Sequence, residues 1–85
     1  MNKSNFIKVP MYIIENPLLT PNTKLLYGIL LSLNNNKEYS YATNKYLANC
    51  LNISKRSISN MISDLNKLGY IKMIYIEQKR YIKII

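Results

Sequence analysis

The spacing of apolar residues between Tyr41 and Ile71 constrains this chain more than any other feature. In YATNKYLANCLNISKRSISNMISDLNKLGYI, Leu47, Ala48 and Leu51 fall on one helical face and Asn52 and Ile53 interrupt the pattern. Ile58, Met61, Ile62, Leu65 and Leu68 then resume it, which predicts two helices joined by a turn of about three or four residues. Local chemistry fixes the ends of the second helix. Ser54 is a preferred N-cap type able to accept a hydrogen bond from the Ser57 amide, and Ile53 and Ile58 occupy the two positions of a hydrophobic staple. Gly69 supplies the left-handed conformation that closes many helices, so the helix is expected over 55–68.

Projecting this helix separates two faces. Ile58, Met61, Ile62, Leu65 and Leu68 form one stripe and leave Lys55, Arg56, Ser59, Asn60, Ser63 and Lys67 outside it. Lys55 and Arg56 lie in the first turn, where the helix dipole disfavours positive charge by about 0.3–1 kcal/mol each. A local rule broken without compensation points to function. Two capped helices around a short turn, the second with basic and polar residues outward, are helix-turn-helix grammar, and the ligand expected is double-stranded DNA. The candidate contacts are Thr43, Asn44 and Lys45 at the start of the first helix, then Ser54, Lys55, Arg56, Ser57, Ser59, Asn60, Ser63 and Lys67 in the second.

Charge supports a polyanionic partner. The formal net charge is +8, from twelve Lys and Arg against four acids, in a chain whose 85 residues suit one small domain with a single modest core. An AT-rich genome would enrich lysine, but it would also enrich glutamate, so it leaves the scarcity of acids unexplained. The longest apolar run, Leu25 to Leu33, contains Gly28 and Ser32 and falls short of the ~20 residues a membrane span needs. MNKSNF leads into no signal-peptide core, so the chain is expected to be cytoplasmic, with no membrane partner. Cys50 is the only cysteine and histidine is absent, which leaves no internal disulfide, no plausible zinc ligand set and no cofactor site; Cys50 reads as a half-buried helix residue.

Upstream, LTPNTKLLYGILLSL reads as a helix capped by Thr20, with Pro21 at its first position and Leu25, Leu26, Ile29, Leu30 and Leu33 on a broad buried face. Gly28 there marks close approach of a neighbouring helix or aromatic ring. FIKVP is expected to be extended, MYIIE to form one helical turn, NNNKE to be a turn and EYSY a short strand. Residues 1–5 are expected to be flexible. After Gly69, IKMIYI and RYIKII read as two strands of a hairpin, over 71–85, with a tip of three residues, EQK, or slightly more. Gln78, Lys79 and Arg80 at or near that tip are candidates for phosphate or minor-groove contact.

Together LTPNTKLLYGILLSL, YATNKYLANCLNISKRSISNMISDLNKLGYI and the hairpin resemble the winged helix-turn-helix module at the front of replication-initiator and replisome-organiser proteins of phages and plasmids of Gram-positive bacteria. The resemblance covers nearly the whole chain and rests on PNTKLLYG, YATN and KRSISNMISDLNKLGYI. It implies an α+β, mainly α fold: a three-helix core, a small antiparallel sheet and a C-terminal β-hairpin wing, in one domain over 1–85. The implied activity is DNA binding at an origin or operator, and the implied partners are replication or transfer proteins. Relatives tied to replication typically continue into a second domain, whereas this sequence ends at Ile85, directly after the wing. The isolated module equally suits a repressor, an origin-binding accessory, or a protein marking a plasmid's transfer origin for conjugation.

Two other classes have less support. Glu15, Glu38, Asp64 and Glu77 lie in separate elements with no histidine, phosphate loop or activated nucleophile, so no enzyme is expected. Eight tyrosines raise base stacking on single strands, but Tyr27 and Tyr70 fall at packing positions, and Tyr75 and Tyr81 are expected to face each other across the hairpin. Both hairpin faces carry apolar residues, and only one can cover the core. The other face, with a free edge on the last strand, points to a protein-interaction surface, most simply a homodimer through the hairpin.

Overall fold

Thr20 starts the first long helix as the sequence leads one to expect. Its hydroxyl accepts the Thr23 amide at 3.2 Å, and Pro21 takes the position where a missing N–H costs nothing. The computed structural model describes residues 6–35 and 37–85, so the expected flexibility of residues 1–5 concerns a segment outside the described residues. In chain order the elements are α1 (Met11–Ile14), α2 (Pro21–Leu33), β1 (Ser40–Tyr41), α3 (Asn44–Leu51), α4 (Lys55–Lys67), β2 (Ile71–Ile76) and β3 (Lys79–Ile84). Helices α2, α3 and α4 pack on one another, and the sheet closes over them through β2 against α4 and β3 against α2. This is the winged helix-turn-helix arrangement, mainly helical with a three-stranded antiparallel sheet.

The buried stripe of α2 is Thr23, Leu26, Tyr27 and Leu30, one clean helical repeat. Leu25, expected inside, is 43% exposed, and Tyr27 takes the inner place. Its hydroxyl meets that of Tyr12 at 3.2 Å, and its ring meets Tyr70 edge-on at 6.0 Å. Burial raises the Tyr27 pKa most, followed by the hydrogen bond to Tyr12. Gly28 does mark a close approach, but of an irregular segment rather than of a helix or ring. A Cβ there would sit 2.7 Å from Ile7 Cδ1 and 2.8 Å from Val9 Cγ2. Asn34 then turns the chain, its side-chain amide donating to the Lys37 carbonyl at 2.7 Å.

Between α3 and α4 the chain reverses at Asn52, whose φ of 58° is left-handed. The following amide, of Ile53, bonds back to the Ala48 carbonyl at 3.1 Å, joining the Asn52 amide there and closing the end of α3. Helix α4 ends one residue earlier than its apolar pattern predicts. Leu68 is its C-cap and is exposed, Gly69 has φ 84°, and the Tyr70 amide bonds to the Leu65 carbonyl at 3.0 Å. Cys50 lies exposed on α3 rather than half-buried.

In the sheet the order is β1-β3-β2, so the last strand is central and β2 carries the free edge, the reverse of the arrangement expected. The hairpin tip is also shorter. Ile76 pairs with Lys79, leaving only Glu77 and Gln78, both with positive φ (51° and 69°), as in a type I′ turn. That register pairs Tyr75 with Arg80 and Ile74 with Tyr81, which sends Tyr75 and Tyr81 to opposite faces instead of facing each other. The inner face carries Ile71 and Ile82, both buried, with Met73 and Ile84 packed against the same core.

A residue with a side chain at position 69 would have to hold the left-handed conformation. Nothing lies within 4 Å of a Cβ added there, so crowding contributes nothing to the cost. Gly69→Ala should therefore lose about 1–2 kcal/mol of stability from the backbone alone, read as a lower urea midpoint at unchanged m-value. An unaltered midpoint would show that Gly69 does not terminate α4 in this way.

Candidate nucleic-acid interface

Helix α4 turns one side to the core and the other to solvent. Ile58, Met61, Ile62 and Leu65 are buried, whereas Lys55, Arg56, Ser59, Asn60 and Lys67 are exposed and Ser63 is half-buried. No acidic residue occupies the first turn of α4. Among the described residues the one side-chain ion pair joins Lys83 to Glu38 at 3.9 Å, so no carboxylate neutralises Lys55, Arg56 or Lys67. Two basic groups at a helix N-terminus, beside amides that are themselves partly positive, make a patch suited to phosphate oxygens. The serines next to them are small enough to let the helix backbone approach a groove.

Three of the candidate hydroxyls, those of Thr43, Ser54 and Ser57, take part in helix capping. Ser54 caps α4, accepting the Ser57 amide at 3.1 Å and donating to the Ser57 hydroxyl at 3.0 Å. Thr43 caps α3 by accepting the Tyr46 amide at 3.0 Å. Asn44 follows at the first position of α3 with its Oδ1 buried and unpartnered, while Lys45 is exposed beside it. Thr43 and Ser54 thus fix the starts of the two helices, and Lys45 adds charge at the start of α3.

The three wing candidates do not converge on one surface. Gln78 sits in the turn, Lys79 lies with its Nζ 5.7 Å from the Tyr41 ring centroid, and Arg80 shares the inner face with Ile82. Arg80 donates from Nη2 to the Ala42 carbonyl at 2.6 Å, and its Nε is buried without a partner. Burial lowers its pKa, with Tyr75 and then Tyr41 opposing that shift. The guanidinium therefore ties the wing, close to its tip, to the residue before Thr43. Sequence reasoning overlooked two further cations, Lys72 and Lys83, which pair directly across β2 and β3. Strand alternation would have put them on one face, had the register been known.

Among the described residues, no three His, Cys, Asp or Glu side chains gather as a metal site, and no helix is long and apolar enough to cross a membrane. A family model described as "Helix-turn-helix domain" matches residues 18–71, from just before α2 to the first residue of β2, and leaves the rest of the hairpin outside the match. No match to a curated protein was found.

If Arg80 is a strut, its loss should be seen in folding. Arg80→Ala should lower stability by about 1–3 kcal/mol through the lost charged hydrogen bond, while the salt dependence of any DNA binding stays at the wild-type slope. A lower slope with unchanged thermal stability would instead place Arg80 on phosphate.

Proposed function

We propose that this chain, which belongs to the helix-turn-helix domain family, is a sequence-specific double-stranded DNA-binding protein that docks α4 in the major groove and sets its wing on the DNA backbone or minor groove. Helix-turn-helix domains bind DNA and are typically not enzymes. The observation that carries the reading is the outward face of α4, where Lys55, Arg56 and Asn60 stand exposed among small serines while the opposite side is locked into the core. Each has a distinct job in this reading. Lys55 neutralises a phosphate, Arg56 presents two donors to a guanine edge, and Asn60 pairs its amide with adenine. From the wing, Lys79 and Gln78 supply backbone or minor-groove contacts. The resemblance of PNTKLLYG, YATN and KRSISNMISDLNKLGYI to phage and plasmid initiator modules supports an origin or operator of such a replicon as the target, with a plasmid transfer origin or a repressor's promoter as the alternative.

The free edge of β2 supports a further element of this reading, a homodimer that joins two β2 strands and fixes the spacing of two α4 helices. Sedimentation of the complex on an isolated target site would give the mass of the duplex plus two protomers, and a single protomer per site would remove the dimer.

Binding selections with duplex fragments of the native replicon test the main reading. Arg56→Ala and Asn60→Ala should each relax preference at one base pair, costing about 1–3 kcal/mol there. Lys55→Ala should weaken all duplexes alike and reduce the log-log salt slope by about 0.9. Unchanged preference in both helix variants, with recognition abolished by Lys79→Ala, would move readout from the helix to the wing.

A further inference from the structure

The sheet has a second face that lies away from the hydrophobic core, with Lys72 and Tyr41 exposed on it and Ile74 and Tyr81 half-buried. Register and alternation put Lys72, Ile74 and Ile76 of β2 on this side, opposite Lys83, Tyr81 and Lys79 of β3. Tyr41 of β1 pairs with Tyr81 and completes the middle row, so the face reads Tyr41, Tyr81, Ile74 across the three strands, with lysines on the rows to either side. The rings adjoin: Tyr41 and Tyr81 lie 5.5 Å apart by centroid, and Tyr39 meets Tyr81 edge-on at 5.2 Å. None of these three tyrosines, nor Ile74 or Ile76, packs against the hydrophobic core, which lies behind the other face. Tyr41 remains 51% exposed.

The charges on this face lack a balance within the chain. Lys72 and Lys83 stand directly opposite each other, a destabilising pairing for like charges. The single acid that reaches them, Glu38, contacts Lys83 at 3.9 Å with both side chains well exposed, a contact of little strength. Lys79 leans over the Tyr41 ring at 5.7 Å. Aromatic rings in a row with cations on both flanks have the chemistry of a strand of unpaired nucleotides, whose bases stack on ring faces and whose phosphates need positive charge at the margins. A duplex keeps its base faces hidden and cannot use such a row.

We propose that this outer sheet face binds single-stranded DNA, its bases stacking on Tyr41 and Tyr81 and its phosphates lying against Lys72, Lys79 and Lys83. The stacking argument uses no residue of α4. The choice of DNA over RNA does rest on the reading of α4 as a duplex DNA reader, which brings the face beside DNA. Single-strand binding then uses the face turned away from α4, and Lys79 on that face is shared with the wing's proposed duplex contact.

Fluorescence anisotropy with a labelled oligothymidylate of about 15 nucleotides tests the assignment. The full chain should bind it at low salt, and Tyr41→Ala and Tyr81→Leu should each weaken binding by about tenfold or more. Tyr75→Ala removes an exposed tyrosine from the opposite face and should leave binding unchanged. Tyr81→Leu keeps apolar bulk in the central strand, and thermal melts of each variant separate lost contacts from lost folding. Duplex affinity, measured alongside, should be unaffected by Tyr41→Ala. Loss of binding in Lys72→Glu with wild-type affinity in both folded tyrosine variants would overturn stacking, as would failure of the wild type to bind. Equal or tighter binding of oligouridylate would overturn the assignment to DNA, and a dimer that hides this face from the oligonucleotide would replace the proposal with self-association.

Discussion

Ile82, wholly buried in the middle of the central strand, sets the parity of the entire sheet. Side chains alternate along a strand, so fixing one residue inside fixes the destination of every other. With Ile82 inward, Ile84 and Arg80 are inward too, while Lys79, Tyr81 and Lys83 go outward. The partner strands follow through their pairings: Met73 opposite Ile82 faces the core, and Ile74 opposite Tyr81 faces solvent. Ser40, paired with Ile82 on the other side, is buried, and Tyr41 is exposed. One apolar anchor thus separates a surface that closes the helical core from a surface that presents lysine and tyrosine.

Basic residues on α4 and on the sheet stand in two different geometries. On α4 the charges cluster at the helix start, near partial positive charge from the backbone, with small side chains around them. On the sheet they flank aromatic rings. The first arrangement has the chemistry to meet edges and phosphates of a rigid groove, and the second that to meet a flexible chain with exposed rings of its own.

Helix boundaries were legible in the sequence because they depend on neighbours. Thr20 with Pro21, and Ser54 with the Ser57 amide, act within three residues, and Gly69 meets a local need for positive φ. Helix-turn-helix geometry and the outward side of α4 could be read for the same reason. The hairpin was harder. Glu77 and Gln78 adopt left-handed conformations that their side chains do not advertise, and taking the tip as three residues instead of two shifts the pairing by one. That single step would set Tyr75 against Tyr81, and the true register places them on opposite faces with Arg80 turned inward. Leu25 lies outside the core, contrary to expectation, because α2 is apolar around most of its circumference and periodicity alone selects no face, whereas Tyr27 is buried as its packing position implies. Strand order is a nonlocal property, and nothing near Ser40 or Tyr41 announces that they pair with the last strand rather than leave its edge open.

The bond from Arg80 to the Ala42 carbonyl joins the wing to the residue that leads into α3. It spans 38 positions of sequence and couples the two parts of the molecule that would touch a duplex from different directions. A wing free to swing at its tip would have to be ordered at the moment of binding, and each side chain immobilised then subtracts about 0.5–1.5 kcal/mol from affinity. With the guanidinium already anchored, that entropy is surrendered during folding. In the proposed reading the wing and the helix pair would meet DNA as one preorganised body, with the spacing between their contacts set before the encounter.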